Sequence, residues 1–128
     1  SALLAKALFT ELREAQGIVV NVTSIAGSRV HPFAGPAYAT SKAALLALTR
    51  EMAHEFGPHG VRVNAISPGG FARAGMPDGF VRDYSDRTPL GRMGTEEDLK
   101  GAVAYLASDL SAYVTGQNIV VDGGWMAI

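Results

Sequence analysis

The sequence contains no cysteine, which excludes a disulfide scaffold and thiolate metal sites and is compatible with a reducing cytoplasm. It has no apolar run of bilayer-spanning length, so no transmembrane helix is predicted. Near its start, Lys6, Glu11 and Arg13 fall inside a helical pattern, which is not the layout of a secretory signal. A cytoplasmic location is the resulting expectation. There is no basic block either: 11 Lys and Arg stand against 12 Asp and Glu, a formal net charge of −1. That balance gives no electrostatic case for nucleic acid or an anionic membrane. His31, His54 and His59 share no metal-ligand spacing, so no metal site is expected and each reads as a loop or surface residue. Internal repeats and low-complexity tracts are missing as well.

What is present suits one globular domain: 128 residues with 48% apolar composition, long enough to bury a core. Leu4, Leu8 and Leu12 recur at four-residue spacing, with Lys6, Arg13 and Glu14 on other faces, predicting a helix over residues 2–16 that Gly17 ends. The β-branched run Ile18-Val19-Val20-Asn21-Val22 reads as a buried strand. A loop over residues 28–36, marked by Pro32, Gly35 and Pro36, leads into a helix over residues 37–56, stopped by Gly57-Pro58. Strands are predicted at 61–66 and 118–121, with a short helical piece at 80–86 and a helix running from Thr95 to Ser108. Thr95 and Asp98 have the spacing of a capping box at its start. Residues 67–79, with four Gly and two Pro, read as a long irregular segment of the sort that is functional or mobile. Alternation of helix and strand predicts an α/β fold, a parallel sheet with helices on its faces. Asn21 and Asn64 lie on strands, where their amides are expected to satisfy neighbouring backbone.

The chemistry gathers around Tyr38-Ala39-Thr40-Ser41-Lys42. On a helix, Tyr38 and Lys42 are one turn apart on the same face. A phenol ordinarily titrates near pH ~10, and a fixed positive charge beside it favours the phenolate, which suits tyrosine to acid–base work. Such a pair also arises by chance, as a half-buried Tyr beside a solvated Lys, so its neighbourhood decides. Upstream, Thr23-Ser24-Ile25-Ala26-Gly27 follows the strand at 18–22 directly. A hydroxyl at the C-terminal end of a parallel strand sits where α/β sheets bind ligands.

With Ser24, Tyr38 and Lys42, and further on Asn64-Ala65-Ile66-Ser67-Pro68-Gly69 and Val121-Asp122-Gly123-Gly124, the chain resembles the C-terminal half of the short-chain dehydrogenase/reductase family over nearly its whole length. The resemblance implies a partial Rossmann-like architecture, the C-terminal half of a doubly wound sheet, with residues 1–128 as one domain. It implies that Tyr38 is the general acid/base, that Lys42 tunes it and binds the nicotinamide ribose, and that Ser24 steadies the reacting oxygen. NAD or NADP is the implied cofactor, held here by Tyr38, Lys42, Pro68, Gly69 and Phe71; a small-molecule alcohol or ketone is the implied substrate. Pro68-Gly69 resembles the family turn whose backbone meets the nicotinamide, although a plain turn after a strand uses the same residues. Two departures stand out. The interval from Ser24 to Tyr38 is one residue longer than the commonest family spacing, and Phe71-Ala72-Arg73-Ala74 lacks the Thr that often binds the cofactor there, leaving Arg73 as a substitute. Asp122-Gly123-Gly124 reads as a structural turn near a subunit contact.

The family's strand, Gly-rich loop and helix, which hold the pyrophosphate at a helix N-terminus, are absent from these residues. Two expectations follow: the strand at 18–22 exposes an apolar edge, and the chain pairs with a second copy or with a separate N-terminal half. Two functions fit: an alcohol/ketone oxidoreductase incomplete by itself, or a non-catalytic truncated relative serving as an assembly module. Mixed aromatic and methionine side chains at 30–37 and 70–87 suggest a mostly apolar substrate pocket.

Overall fold

The computed structural model describes residues 2–127. Ser1 and Ile128 lie outside them. Helices α1 (Ala2–Ala7) and α2 (Phe9–Glu14) lead into strand β1 (Ile18–Val22), helix α3 (Pro36–Phe56) and strand β2 (Arg62–Pro68). Helices α4 (Asp78–Asp86) and α5 (Glu96–Leu106) then precede strand β3 (Asn118–Val121). The three strands form one parallel sheet in the order β1-β2-β3, with Val19 opposite Val63 and Ile66 opposite Ile119. The α/β fold expected from the alternation is the one observed.

Strand β2 is the spine. Its residues from Val63 to Ser67 are all buried, as a central strand covered on both faces requires. Val63 joins Met52, Ala53 and Phe56 of α3 in one apolar cluster. The neighbouring Arg62 points the other way and donates to Leu106 O at 3.2 Å, Ser108 O at 3.0 Å and Ser111 Oγ at 2.7 Å. Helices α3 and α5 therefore cover opposite faces, and Arg62 satisfies carbonyls at the end of α5 that the helix itself cannot. The Thr95–Asp98 capping box forms, and Arg92 clamps the same Asp98 carboxylate through two 2.8 Å bonds. Those bonds hold the Asp98 carboxyl well below the usual carboxylate range.

Several boundaries differ from expectation. The first helix is broken at Leu8, whose φ of −98° and ψ of 12° interrupt it. Its end is made by Gln16, at φ 45°, and not by Gly17, whose own role is to let the strand entry pass Leu12. At the end of α3, Gly57-Pro58 opens a single tight turn, and the left-handed glycine that reverses the chain is Gly60, at φ 79°. Strand β2 begins at Arg62 and runs two residues further than expected, through Pro68, because Gly69 N–H still bonds Val121 O at 2.9 Å. Helix α4 starts at Asp78, ahead of the expected 80, and α5 stops at Leu106, where Arg62 and Ser111 take its carbonyl.

Buried polar side chains tie the layers together. Asn64, fully buried, donates to Val114 O at 2.8 Å and accepts from Gln117 N at 3.0 Å, so it satisfies backbone as expected. Asn21 differs: its amide donates to Thr49 Oγ1 of α3 at 3.0 Å, a side-chain contact. Asn64→Ala should strand one backbone donor and one acceptor, lowering stability by about 2–4 kcal/mol. Urea unfolding would read this as a lower midpoint at unchanged slope.

Candidate active site

At the C-terminal end of β1 the chain is pinned before it reaches the site. Thr23 N and Thr23 Oγ1 both donate to Ile66 O, at 2.8 and 2.9 Å, and its hydroxyl lies 2.6 Å from Ser67 Oγ. Ser67 in turn donates to Asn118 Oδ1 at 2.8 Å, so one polar rung crosses all three strand ends. Ser24 follows in extended conformation and caps the tight turn Ile25–Gly27, its Oγ accepting from Ala26 N at 3.2 Å. A hydroxyl that accepts there keeps its own proton free to donate.

The turn then lies directly on α3. A Cβ added at Gly27 would stand 2.7 Å from the Lys42 carbonyl carbon and 2.8 Å from Ala43 N, so only glycine permits this approach. One turn earlier on the same helix, Tyr38 is half exposed and faces the cleft that Ser24 lines. Lys42 Nζ donates to Val22 O at 3.0 Å and sits 5.6 Å from the Tyr38 ring centroid, within cation–π range. The ammonium is thereby fixed beside the phenol by the last carbonyl of β1.

The cleft encloses about 660 Å³. Ser24, Tyr38, Gly69 and Phe71 all line it, whereas Lys42 touches it only through Tyr38. Pro68 remains within β2, opposite Val121, one residue short of the cleft. Gly69 also packs closely beside the end of β3, where a Cβ would meet Asp122 Cα at 2.8 Å. The irregular stretch after it is held by a bridge from Phe71 to Gly94, with Ala72 N bonded to Gly94 O and Gly94 N to Gly70 O, each at 2.9 Å. Arg73, Met76 and Phe80 follow on the cleft wall, as does Phe33 from the other loop, giving the apolar lining expected. Val30, expected on that side, is 92% exposed.

Three contributors escaped sequence reasoning. His31, read as a loop or surface residue, lies in the loop but lines the cleft, stacking on Trp125 at 5.1 Å and Tyr84 at 5.8 Å. Tyr84 and Trp125 stack at 4.2 Å beneath it. Trp125 is aimed there by the structural turn at Asp122, whose carboxylate accepts from Gly124 N and Met126 N at 2.8 Å each. The available signals were His31 and Tyr84, each inside a segment already assigned to the substrate side.

A family model described as enoyl-(acyl carrier protein) reductase matches residues 1–126. Protein FixR of Bradyrhizobium diazoefficiens is 56% identical over 124 residues, which are 95% of this chain and 44% of that protein. A short-chain dehydrogenase of Leptospira borgpetersenii solved with bound NAD+ superposes with a TM-score of 0.89 at 41% identity, over 96% of this chain and 50% of that one. This chain belongs to the short-chain dehydrogenase/reductase family. A second solved member, a gluconate 5-dehydrogenase of Burkholderia cenocepacia in complex with NADP and tartrate, matches with a TM-score of 0.88 at 30% identity, over 97% of this chain and 51% of that one. The chain thus spans about half the length of the family members it matches. Among its described residues, no helix is long and apolar enough to cross a membrane.

Burial holds the His31 imidazole below its ordinary value of 6.5. A group depressed in the folded state lends stability that is present above its unfolded value and is lost as pH falls through the folded one. Acidification below pH ~6.5 should therefore loosen the His31–Tyr84–Trp125 stack. The emission of Trp125, the single tryptophan, should change over that range, and should not in His31→Leu.

Proposed function

We propose that this chain carries the acid/base and substrate half of an oxidoreductase that interconverts an alcohol and a ketone with NAD or NADP. The single observation behind it is the convergence of Ser24 and Tyr38 on one cleft, with the Lys42 ammonium fixed beside the Tyr38 ring. A nicotinamide bound there supplies or accepts the hydride. Tyr38 gives its phenolic proton to the substrate oxygen in reduction and takes it back in oxidation. The Ser24 proton, left free by the bond from Ala26 N, donates to the same oxygen, and two donors on a developing oxyanion lower the barrier. Lys42 spends one of its three N–H groups on Val22 O, and the others are available to a ribose diol. Tyr38, Pro68, Gly69 and Phe71 would complete the nicotinamide end of that site, with Arg73 on the cleft wall in place of the missing Thr.

The phosphate end needs more than these residues contain. A strand, Gly-rich loop and helix would complete the sheet beyond β1, whose outer edge has no partner among the described residues and whose Val22 is 57% exposed. We infer that this edge pairs with a further strand, supplied by an N-terminal half or by a second copy of the chain, in the cytoplasm. The same open edge favours the second reading, an assembly module in which Ser24, Tyr38 and Lys42 are relics. A species that dilutes to a stable monomer in light scattering would contradict pairing with a second copy.

Titration of NADH and NADPH against the protein, followed by nicotinamide fluorescence, tests for an assembled site: saturable binding supports the oxidoreductase, and no binding by a folded chain means that the phosphate-binding half is indispensable. In an active assembly, Tyr38→Phe should lower turnover by about 10²–10⁴-fold with little change in melting temperature. Unchanged turnover would refute the role given to Tyr38.

A further inference from the structure

Besides Ser24, Tyr38, Arg73 and Glu96, the cleft holds a buried polar point. Tyr84 is 2% exposed, yet it lines the cleft, and His31 Nε2 lies 3.3 Å from its hydroxyl. The direction of that bond follows from the other ring nitrogen. Phe33 N donates to His31 Nδ1 at 3.3 Å, so Nδ1 is the acceptor and, in the neutral ring, Nε2 carries the proton. The imidazole therefore donates and the Tyr84 oxygen accepts. The Gly70 backbone lies against the same ring, where an added Cβ would overlap Tyr84 Cζ. Burial holds the Tyr84 phenol above its ordinary value and keeps it protonated. Its proton is left with no hydrogen-bond acceptor among the described residues, beside Phe33, Met76, Phe80 and Met93 in a cleft that Arg73 and Glu96 also line. A buried donor without an acceptor is costly, and a ligand oxygen would relieve that cost.

We propose that Tyr84, oriented by His31, is a specificity-determining residue whose hydroxyl donates to a second oxygen of the substrate. The ligand class is an apolar-bodied ketone or alcohol that carries one further hydrogen-bond acceptor away from the reacting carbon. This rests on the cleft being the substrate site, as assigned above. A site built to hydrogen-bond such an oxygen discriminates strongly against the analogue that lacks it, because its own polar group is then left unpaired.

Trp125, stacked on Tyr84 at 4.2 Å and the single tryptophan, gives a binding readout that needs neither cofactor nor turnover. The probes are 2-octanone and a set of methyl oxooctanoates that place the ester carbonyl at increasing distance from the ketone. The protein should bind the best-matched oxo ester about tenfold or more tightly than 2-octanone. Tyr84→Phe, which keeps the stack, should bind both with the weaker affinity. His31→Gln, which keeps a donor toward Tyr84, should retain most of the preference that His31→Leu loses. Equal binding of all probes, no emission response to any oxo ester, or a preference that survives in Tyr84→Phe would overturn the proposal. A binding preference without hydride transfer, in an assembly that binds NADH or NADPH, would retire the oxidoreductase reading and leave this one standing; hydride transfer without a preference would do the reverse.

Discussion

The contact on which the site depends is the backbone approach of the Ile25–Gly27 turn to α3. Ser24 belongs to the turn, while Tyr38 and Lys42 belong to the helix, and the two elements meet where Gly27 faces the Lys42 carbonyl carbon and Ala43 N. With no Cβ at position 27, the turn can sit on the helix backbone itself. The Lys42 bond to Val22 O closes the same contact from the other side. One glycine and one ammonium thus hold a hydroxyl from the sheet and a phenol from the helix over one cleft.

Polar groups rather than apolar ones set the register beneath that contact. A parallel sheet covered on both faces is usually close to continuous hydrocarbon. Here Asn21, Thr23, Asn64 and Ser67 are all buried on β1, at its end and on β2. Each one is satisfied: Asn21 by Thr49, Thr23 by Ile66 O, Asn64 by the approach to β3, and Ser67 by Asn118. A fully satisfied network is rigid and directional, because slipping one strand would leave several donors unpaired at once. That rigidity fixes the backbone that carries Ser24 above the cleft.

Much of this was legible in the residues because it is local. The loop marked by Pro32, Gly35 and Pro36 and the Gly57-Pro58 stop bracket α3 to within one residue, and β3 follows directly from its apolar run. Thr95 and Asp98 announce their capping box by spacing alone. Ser24, Tyr38 and Lys42 were named from motif order. The misses are all long-range or conformational. The break at Leu8 and the left-handed Gln16 contradict local preference, since a Gly stood ready at 17. Pro68 stays in the strand because of a bond from its neighbour to β3, a partner far along the chain. His31 looked like an exposed loop histidine because the rings that bury it, Tyr84 and Trp125, come from α4 and from the turn after β3.

The most direct measurement compares the stability of Gly27→Ala with that of Gly35→Ala. Gly35 has open space around it, with nothing within 4 Å of an added Cβ, and its φ of −70° suits alanine. If the turn truly rests on the α3 backbone, Gly27→Ala should lose about 1–3 kcal/mol while Gly35→Ala stays near the wild type. Equal stability of the two variants would mean that the turn and helix are not in contact as described, and the common cleft of Ser24 and Tyr38 would lose its support.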